Sequence, residues 1–477
     1  MNQNPSLLHI GKKSFLSVCY ILLGLILFAG LLTLIIPKGA YLRNPDGTLI
    51  QDSFVYLDQT HYPVYRWLLA PFEVLATSDG LSVIVIGVFL IILGGTFSIM
   101  DKTGGIQSII NRLIKRYQAR KYILLRLVIL VFMMFGAFFG IFEESIALLP
   151  IMLLLALSLG WDSLTGLGMC LLAAGFGFAS AVTNPFSVGV ASQLAGISII
   201  NGIGYRLVIF LIMYALLQFF LVRYAKKIEK NPQASLTYAE DMNRSKDLNL
   251  DAPLPFGNEP VVFKTYTLLF VVLLVGILIS SLAELIFHIE IPAIVLMAVI
   301  FLFGGWMAGF IVSKDVRFTF KTFGNGMLGV APAFILIILA VSVKHIISEG
   351  MIMDTLLYHL SSLLANQSLY VSVLFIYGLV LVLQFFIGSA SAKAFLIMPI
   401  LLPLVSLIGI SSELAILAFI FGDGYTNVIF PTNAVLLIGL SIASVSYAKW
   451  FKFTIKLQMV VLLLTVVLLF IGLWFGY

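Results

Sequence analysis

Apolar residues recur along this chain in runs long enough to cross a lipid bilayer. The runs cover approximately residues 15–36, 81–100, 122–160, 163–200, 203–222, 263–287, 291–312, 327–343, 370–409, 413–443 and 455–476. A helix rises about 1.5 Å per residue, so about 20 residues span the hydrocarbon core. The pattern therefore predicts an all-α, polytopic membrane protein.

Two of these runs, 122–160 and 370–409, are too long for a single crossing and must either cross twice or fold back. Polar residues stand at their midpoints, from Gly140 to Ser145 and from Gly388 to Lys393. Charged groups half-way along an apolar run are tolerated at a buried tip that lines a cavity. We therefore expect two re-entrant helical hairpins.

Two other runs are interrupted. In run 163–200, Asn184 followed by Pro185 is typical of a capped start of a new helical segment. Glycines and a proline between 422 and 433 interrupt run 413–443 in the same way. Unwound backbone at membrane depth is tolerated where it lines a cavity, and half-helix ends there can hold ions or substrate groups. The alternative is a pair of ordinary proline kinks packed against neighbouring helices.

The two halves of the chain resemble each other at an offset near 248 residues. Helix 81–100 matches 327–343, the amphipathic stretch 106–121 matches 351–366, run 122–160 matches 370–409, and Thr183-Asn184-Pro185 matches Thr432-Asn433. The positive-inside rule assigns the first amphipathic arm to the cytoplasmic side and the second to the outside. This indicates an inverted-topology repeat, which secondary transporters use to bind substrate near the midplane of the membrane.

Lysine and arginine content fixes the sides of the other loops as well. The basic segments expected in the cytoplasm are Lys12/Lys13, 102–121, 223–264, 314–321 and 449–456. Nine full crossings and two hairpins then place the N-terminus inside and the C-terminus outside the inner membrane of a bacterium.

This organisation divides the chain into scaffold and transport parts. The first-repeat scaffold and arm occupy 1–121, the first hairpin and broken helix 122–200, a scaffold helix 201–225, a cytoplasmic linker 226–262, the second-repeat scaffold and arm 263–366, the second hairpin and broken helix 367–443, and a last scaffold helix 444–477.

Composition excludes several classes of function. Apolar residues make up 61% of the chain and charged residues only 10%, far below the charge content of soluble enzymes. The net charge of +6 arises beside membrane spans, so it does not indicate nucleic-acid binding. Cys19 and Cys170 lie in apolar helices, and no Cys/His spacing is typical of a metal site. Without nucleotide-binding or protease motifs, we expect neither an enzyme nor a cofactor.

Four charged residues lie deep in apolar surroundings: Glu143, Glu144, Lys393 and Asp423. A charge at mid-bilayer costs about 2.5–3.5 kcal/mol, so such groups are usually functional. The glutamates, with Ser145, could instead cap the second helix of the first hairpin. If Ser389 or Ser391 caps the second helix of the second hairpin, Lys393 lies in the first turn of that helix, where the positive end of the helix dipole repels its charge. The lysine then needs Asp423 or a glutamate of the opposite tip as partner, unless it reaches the membrane surface.

The candidate substrate site therefore comprises the polar residues of both tips and both breaks. These residues are Glu143, Glu144, Ser145, Thr183, Asn184, Ser187, Ser389, Ser391, Lys393, Asp423, Asn427, Thr432 and Asn433. Three acids against one lysine favour a substrate that carries positive charge. Helix N-termini and asparagine amides could hold its carboxylate.

These motifs together resemble the YfcC-type transporters, relatives of the anaerobic dicarboxylate carriers within the ion transporter superfamily. The likeness rests on Glu143-Glu144, on the stretches 180–185, 388–391 and 398–403, and on 421–427 with Pro431-Thr432. It covers nearly the whole chain. The resemblance implies a homodimeric elevator in a lipid bilayer, in which a scaffold holds the dimer and a transport domain carries a small molecule. It also implies either basic amino acids, as in arginine/ornithine exchange, or C4-dicarboxylates as substrates.

One position departs from the family pattern, because Lys393 stands where small or amide residues are more usual. This departure argues against sodium coupling at the second hairpin, so we expect proton or exchange coupling and no metal. We therefore interpret the chain as a secondary active transporter of an amino acid, with a dicarboxylate transporter as the alternative. A channel is disfavoured because two hairpins in inverted repeats are typical of alternating access.

Overall fold

The computed structural model of the chain describes residues 12–43, 50, 53–57, 62–246, 254–256, 258–287, 292–362 and 367–477. Within them the chain is almost entirely helical. A two-stranded antiparallel sheet pairs β1, Gly39–Ala40, with β2, Val55–Tyr56. Ten helical segments of this part are long and apolar enough to cross a membrane. The expected all-α, polytopic class is therefore confirmed.

The described residues of the first half form ten α-helices. They are α1 Lys12–Ile35, α2 Val64–Glu73, α3 Ser78–Lys102, α4 Gly105–Tyr117, α5 Lys121–Met134, α6 Leu149–Ser158, α7 Ser163–Leu167, α8 Ala173–Ser180, α9 Val190–Leu194 and α10 Ile203–Lys230. Short π-helical turns extend or join some of them, at Phe135–Phe139, Gly168–Leu172 and Pro185–Gly189. The 3₁₀ turns are Val74–Ala76, Gln118–Arg120 and Glu143–Ala147.

The second half contains the remaining helices of the described residues. They are α11 Tyr238–Lys246, α12 Glu259–Phe287, α13 Ala293–Val299, α14 Gly305–Ser313, α15 Val316–Val330, α16 Pro332–Glu349, α17 Met353–Ser362, α18 Leu369–Phe386, α19 Ala390–Leu407, α20 Ser412–Gly424, α21 Ala434–Ile442 and α22 Tyr447–Phe475. A π turn, Ile300–Gly304, joins α13 to α14, and 3₁₀ turns lie at Pro232–Ala234 and Tyr425–Val428.

The same order of elements occurs in both halves. A long helix (α3 or α16) precedes an amphipathic arm (α4 or α17), two helices around a polar tip (α5 and α6, or α18 and α19), and an interrupted helix (α7 to α9, or α20 and α21). Residues 363–366 of the expected second arm lie outside the described residues. Helix α2 and the small sheet, which join α1 to α3, were not anticipated.

The first overlong run reverses direction at its polar midpoint. The amino group of Lys121, at the start of α5, donates a hydrogen bond to the carbonyl of Leu159, just after α6, at 3.3 Å. The rings of Tyr122 and Trp161 lie 6.0 Å apart nearby. Gly140 begins the reversal in the left-handed conformation, with φ of +68°, which glycine adopts without steric cost. The start and end of the run are therefore neighbours.

The polar linker is more ordered than its composition indicates. Helix α10 continues into it to Lys230, and α11 packs on the ends of two other helices. The carboxylate of Asp241 accepts hydrogen bonds from the backbone N–H of Ser163 at 3.0 Å and from Thr237 at 2.7 Å. Burial raises the pKa of Asp241 above its ordinary value, although these hydrogen bonds act in the opposite direction. The linker thus contains a helix whose polar groups have buried partners, which its composition did not indicate.

Arg244 makes the second attachment of the linker. Its guanidinium donates to the carbonyls of Ile442 at 2.8 Å and Ala443 at 3.1 Å, at the C-terminal end of α21. A cation is favourable there because the last carbonyls of a helix are unpaired and carry partial negative charge. Helix α11 therefore connects the start of the first interrupted helix to the end of the second.

We expect Arg244→Gln to loosen this attachment. Hydrogen bonds to a charged group contribute about 1.5–3 kcal/mol, so the substitution should lower the free energy of unfolding by about 2–4 kcal/mol and the Tm by several degrees. Protease cleavage of the linker in detergent-purified protein should accelerate in parallel. Arg223→Gln, on an exposed arginine of α10, is the control and should change neither quantity. Equal behaviour of the two variants would show that the attachment contributes no stability.

Candidate functional site

The first interrupted helix breaks between Ser180 and Pro185. Ala181 has φ of +30°, which ends α8, and the next helical turn begins at Pro185. The side-chain oxygen of Asn184 accepts hydrogen bonds from the backbone N–H groups of Phe186 at 2.9 Å and Ser187 at 3.3 Å. The expected asparagine cap followed by proline is confirmed.

The first break also completes the hydrogen bonding of the first hairpin. The backbone N–H of Thr183 donates to Ala137 at 3.1 Å, and its hydroxyl donates to Phe138 at 3.0 Å. The amide of Asn184 donates to Gly136 at 3.4 Å. All three acceptors are carbonyls near the end of the helix that begins as α5, where intrahelical donors run out. Break and hairpin therefore form one unit.

The second break is held by a network of three amide side chains. The amide of Asn427 donates to the carbonyls of Asp423 at 2.9 Å and Gly424 at 3.1 Å. Its oxygen accepts from Gln384 at 2.7 Å and Asn433 at 2.8 Å. Asn433 in turn caps α21 by accepting from the N–H of Leu436 at 3.1 Å. These side-chain hydrogen bonds therefore stabilise the unwound backbone after α20.

Lys393 forms a fully buried ion pair with Asp423. Its amino nitrogen lies 2.5 Å from a carboxylate oxygen of Asp423, and both side chains are 0% exposed. The same nitrogen donates to the carbonyl of Ile387 at 2.9 Å. Ser389 caps α19 through the N–H of Ala392, so Lys393 lies in the first turn, where the helix dipole repels a cation. The expectation that this lysine needs a partner, with Asp423 as one candidate, is confirmed.

The two tips and the two breaks converge. The hydroxyl of Ser391, in the second tip, donates to the carbonyl of Phe186, in the first break, at 2.9 Å. The interrupted helices cross so closely that a Cβ on Gly424 would lie 2.2 Å from the Cα of Ala179. Only glycine fits this crossing. Residues from four separate runs thus surround one region.

The acids of the first tip differ in their environment. Glu143 is exposed and Glu144 is half-buried, both in the 3₁₀ turn that begins at Glu143. The hydroxyl of Ser145 donates to the carbonyl of Phe142 at 2.5 Å, so Ser145 is not the helix cap that we considered. Phe142 and Leu148 occupy the cap positions of this turn and of α6, without side-chain hydrogen bonds. Glu143 is therefore accessible despite its apolar sequence surroundings.

The remaining candidate residues lie at the edges of this region. Ser187 is buried in the first turn after the break, and its hydroxyl has no hydrogen-bond partner within the described residues. Thr432 is half-buried beside Asn433. The part of the chain that the structure describes contains no group of three or more His, Cys, Asp or Glu side chains placed to hold a metal ion.

Two residues of this region were missed from the sequence. Gln384 is a lone amide in the apolar run of α18, which was the available signal, but its partner Asn427 is 43 residues away. Arg206 is buried near the start of α10 and donates to the carbonyls of Val182, at 3.2 Å, and Ile199. Its position near a span end concealed its role beside the first break.

A family model described as the C4-dicarboxylate anaerobic carrier DcuC matches residues 15–473. The chain belongs to the DcuC family. It is 30% identical over 396 residues to the Escherichia coli protein named "Putative basic amino acid antiporter YfcC", a match that covers 80% of this chain and 76% of that protein. An uncharacterized Haemophilus influenzae protein is 27% identical over 390 residues, covering 80% and 74%. The expected resemblance is confirmed, and the chain is a multi-pass membrane transporter rather than an enzyme.

Two solved transporter structures are similar over almost their full length. The YdaH transporter of Alcanivorax borkumensis has a TM-score of 0.41 at 18% identity and covers 97% of this chain and 98% of its own. MtrF of Neisseria gonorrhoeae, described with a class of antimetabolite efflux pumps, has a TM-score of 0.39 at 16% identity, covering 98% and 95%.

The ion pair predicts an asymmetry between single and double substitutions. Lys393→Met leaves Asp423 buried without a counter-charge, and removing one partner of a buried pair costs about 3–5 kcal/mol. Lys393→Met with Asp423→Asn removes both charges at nearly constant volume and should recover most of the lost Tm. The control is the half-exposed ion pair of Lys449 with Glu240, which has a similar distance between nitrogen and oxygen. Replacing both with Lys449→Met and Glu240→Gln should change the Tm little. An undiminished Tm in Lys393→Met alone would contradict the buried pair.

Proposed function

We propose that this transporter is a secondary active carrier of an amino acid, with basic amino acids such as arginine and ornithine favoured. The observation that carries the proposal is that the second tip contacts both breaks, with the start of the acidic first tip beside the first of them. An amino acid with a basic side chain carries one carboxylate and two cationic groups, and the region offers matching chemistry for each.

The charge balance of the region supports a cationic substrate. Asp423 and Lys393 neutralise each other, which leaves Glu143 of the first tip as a negative excess. Glu143 is exposed, so a substrate can reach it. In a water-poor site, opposite charges attract more strongly than in bulk solvent.

Helix N-termini supply the complementary chemistry for a carboxylate. Helical segments begin after Asn184 and Asn433, at corresponding positions of the two halves. The free N–H groups and positive dipole of such ends stabilise anions. Each asparagine side chain already caps its own helix, so a substrate carboxylate would meet the remaining N–H groups and the Ser187 hydroxyl, which lacks a partner within the described residues.

Lys393 supports transport without sodium. Its ammonium contacts a carboxylate oxygen and a backbone carbonyl, the oxygen ligands that a sodium ion would need at the second tip. An ammonium and a metal ion cannot share one small oxygen-lined site because they repel each other. Exchange or proton coupling is therefore favoured.

The proposal extends to an elevator mechanism, and the family resemblance implies that it operates in a homodimer. The hairpins and interrupted helices would move together as a transport domain, re-entrant in the inner membrane, while the other helices and arms would form the scaffold. The repeated order of elements and the neighbouring ends of the first hairpin support an inverted repeat, because a run that returns to its starting side is re-entrant.

A dicarboxylate carrier is the alternative. The name of the family model favours it, and two helix starts could hold two carboxylates. Against it, a dicarboxylate would face the first-tip glutamates without a counter-charge unless protons accompanied it.

Uptake by proteoliposomes tests the proposal. Radiolabelled arginine should accumulate against internal ornithine or under a pH gradient, equally in sodium and choline buffers, whereas succinate should not. Glu143→Gln and Glu144→Gln should reduce arginine uptake about tenfold or more if each glutamate contacts a substrate cation, since an ionic hydrogen bond contributes about 1.5–3 kcal/mol. Succinate uptake by the native protein without arginine uptake would overturn the proposal in favour of the alternative. A strict sodium requirement would overturn the coupling.

The orientation is tested by labelling single cysteines in a cysteine-free background of intact cells. Asn243→Cys, at an exposed position of α11, should react only with membrane-permeant reagents, because the basic linker is expected inside the cell. Val55→Cys, on exposed β2, should react with impermeant ones. Labelling of Asn243→Cys by an impermeant reagent would reverse the orientation.

A further inference from the structure

The carboxylate of Asp423 has an unusual deficit of hydrogen bonds. Neither of its oxygens accepts a hydrogen bond from a backbone or side-chain donor within the described residues, apart from its contact with the Lys393 ammonium. A buried ion pair that serves only structure normally has its remaining lone pairs satisfied by further donors, because desolvation is otherwise poorly compensated. Within the described residues, the charge of Asp423 is therefore compensated by the Lys393 ammonium and not by further hydrogen-bond donors.

Lys393 is poorly placed to be a permanent ligand. It lies in the first turn of α19, where the helix dipole repels its charge, and it is fully buried. Besides Asp423, the lysine nitrogen has one further acceptor, the carbonyl of Ile387. A lysine side chain is also a flexible four-carbon chain, which can withdraw without moving its own backbone far.

The contact of Lys393 with Asp423 also joins the second tip to the second interrupted helix. The tip is attached to the interrupted helices by the pair of Lys393 with Asp423 and by the hydrogen bond from Ser391 to Phe186. Both contacts are made by residues in the first turn of α19, Ser391 and Lys393. Displacing the ammonium from Asp423 therefore removes one polar contact between the second tip and the interrupted helices.

We propose that Lys393 is an internal substitute for the cationic side chain of the substrate, and that the substrate displaces it from Asp423. A guanidinium can contact both carboxylate oxygens at once, whereas the ammonium of Lys393 lies against one. This inference rests on the proposed function and assigns the place of the substrate's distal cation. Specificity for a basic side chain then arises at Asp423, and the first-tip glutamates meet the α-ammonium.

The inference makes opposite predictions for two variants. In Lys393→Met the internal competitor is gone, so arginine should bind about tenfold or more tightly, because a ligand no longer has to displace a pre-bound group. In Lys393→Met with Asp423→Asn the carboxylate is gone as well. That double variant should bind arginine and citrulline with similar affinity, since citrulline has the same shape without the charge.

The experiment measures binding of L-arginine and L-citrulline to the full-length protein in detergent or nanodiscs, by calorimetry and by the ligand-induced shift in Tm. Native protein, both variants and the control pair Lys449→Met with Glu240→Gln are compared. The control should match the native protein, because that pair lies outside the site. The double variant retains no unpaired buried charge, so it keeps the comparison possible if Lys393→Met alone is too unstable to purify.

Equal arginine affinity in the native protein and Lys393→Met would overturn the displacement, as would a double variant that still prefers arginine over citrulline by the native ratio. Either result leaves the proposed function intact if native protein still binds and transports arginine. Failure of the native protein to bind arginine at all would instead refute the proposed function, and the displacement with it.

Discussion

Backbone polar groups need hydrogen-bond partners wherever a helix is interrupted at membrane depth, and amide side chains supply such partners at both breaks of this transporter. Asn184 and Asn433 each cap the helix that follows the break, and Asn427 covers the carbonyls that precede the second one. Because these amides bond to the hairpins as well, the breaks fix the position of the tips. The geometry of the whole site follows from this arrangement.

The buried ion pair adds a different kind of interaction to this frame. Asn427 accepts two side-chain hydrogen bonds and donates to two backbone carbonyls, whereas Asp423 contacts a single lysine within the described residues. A site of this kind suits substrate binding. Binding can change the ion pair, while hydrogen bonds hold the surrounding helices in place. The linker helix α11 extends the frame by joining the start of α7 to the end of α21 through Asp241 and Arg244.

Sequence patterns predicted the parts of this structure that depend on local chemistry. Run length together with the polar midpoint indicated that the first overlong run turns back, Asn184 with Pro185 identified a break, and the positive helix end at Lys393 required a partner for it. The patterns did not reveal the docking of Arg244 on Ile442, because the two residues are 198 positions apart and the linker is polar throughout. Gln384 was missed because its partner is likewise distant in the chain, and the alternative that Ser145 caps a helix is not what its hydroxyl does. The sequence patterns therefore failed mainly to predict contacts between segments that are far apart in the chain.

The claim that the tips and breaks form one site for a basic amino acid is tested most directly by a cryo-electron microscopy map of the full-length protein with saturating L-arginine. The account predicts ligand density enclosed by the first tip near Glu143, the second tip near Lys393 and both breaks, with the carboxylate facing a capped helix start. Ligand density outside this region, in a map that resolves both tips, would contradict it.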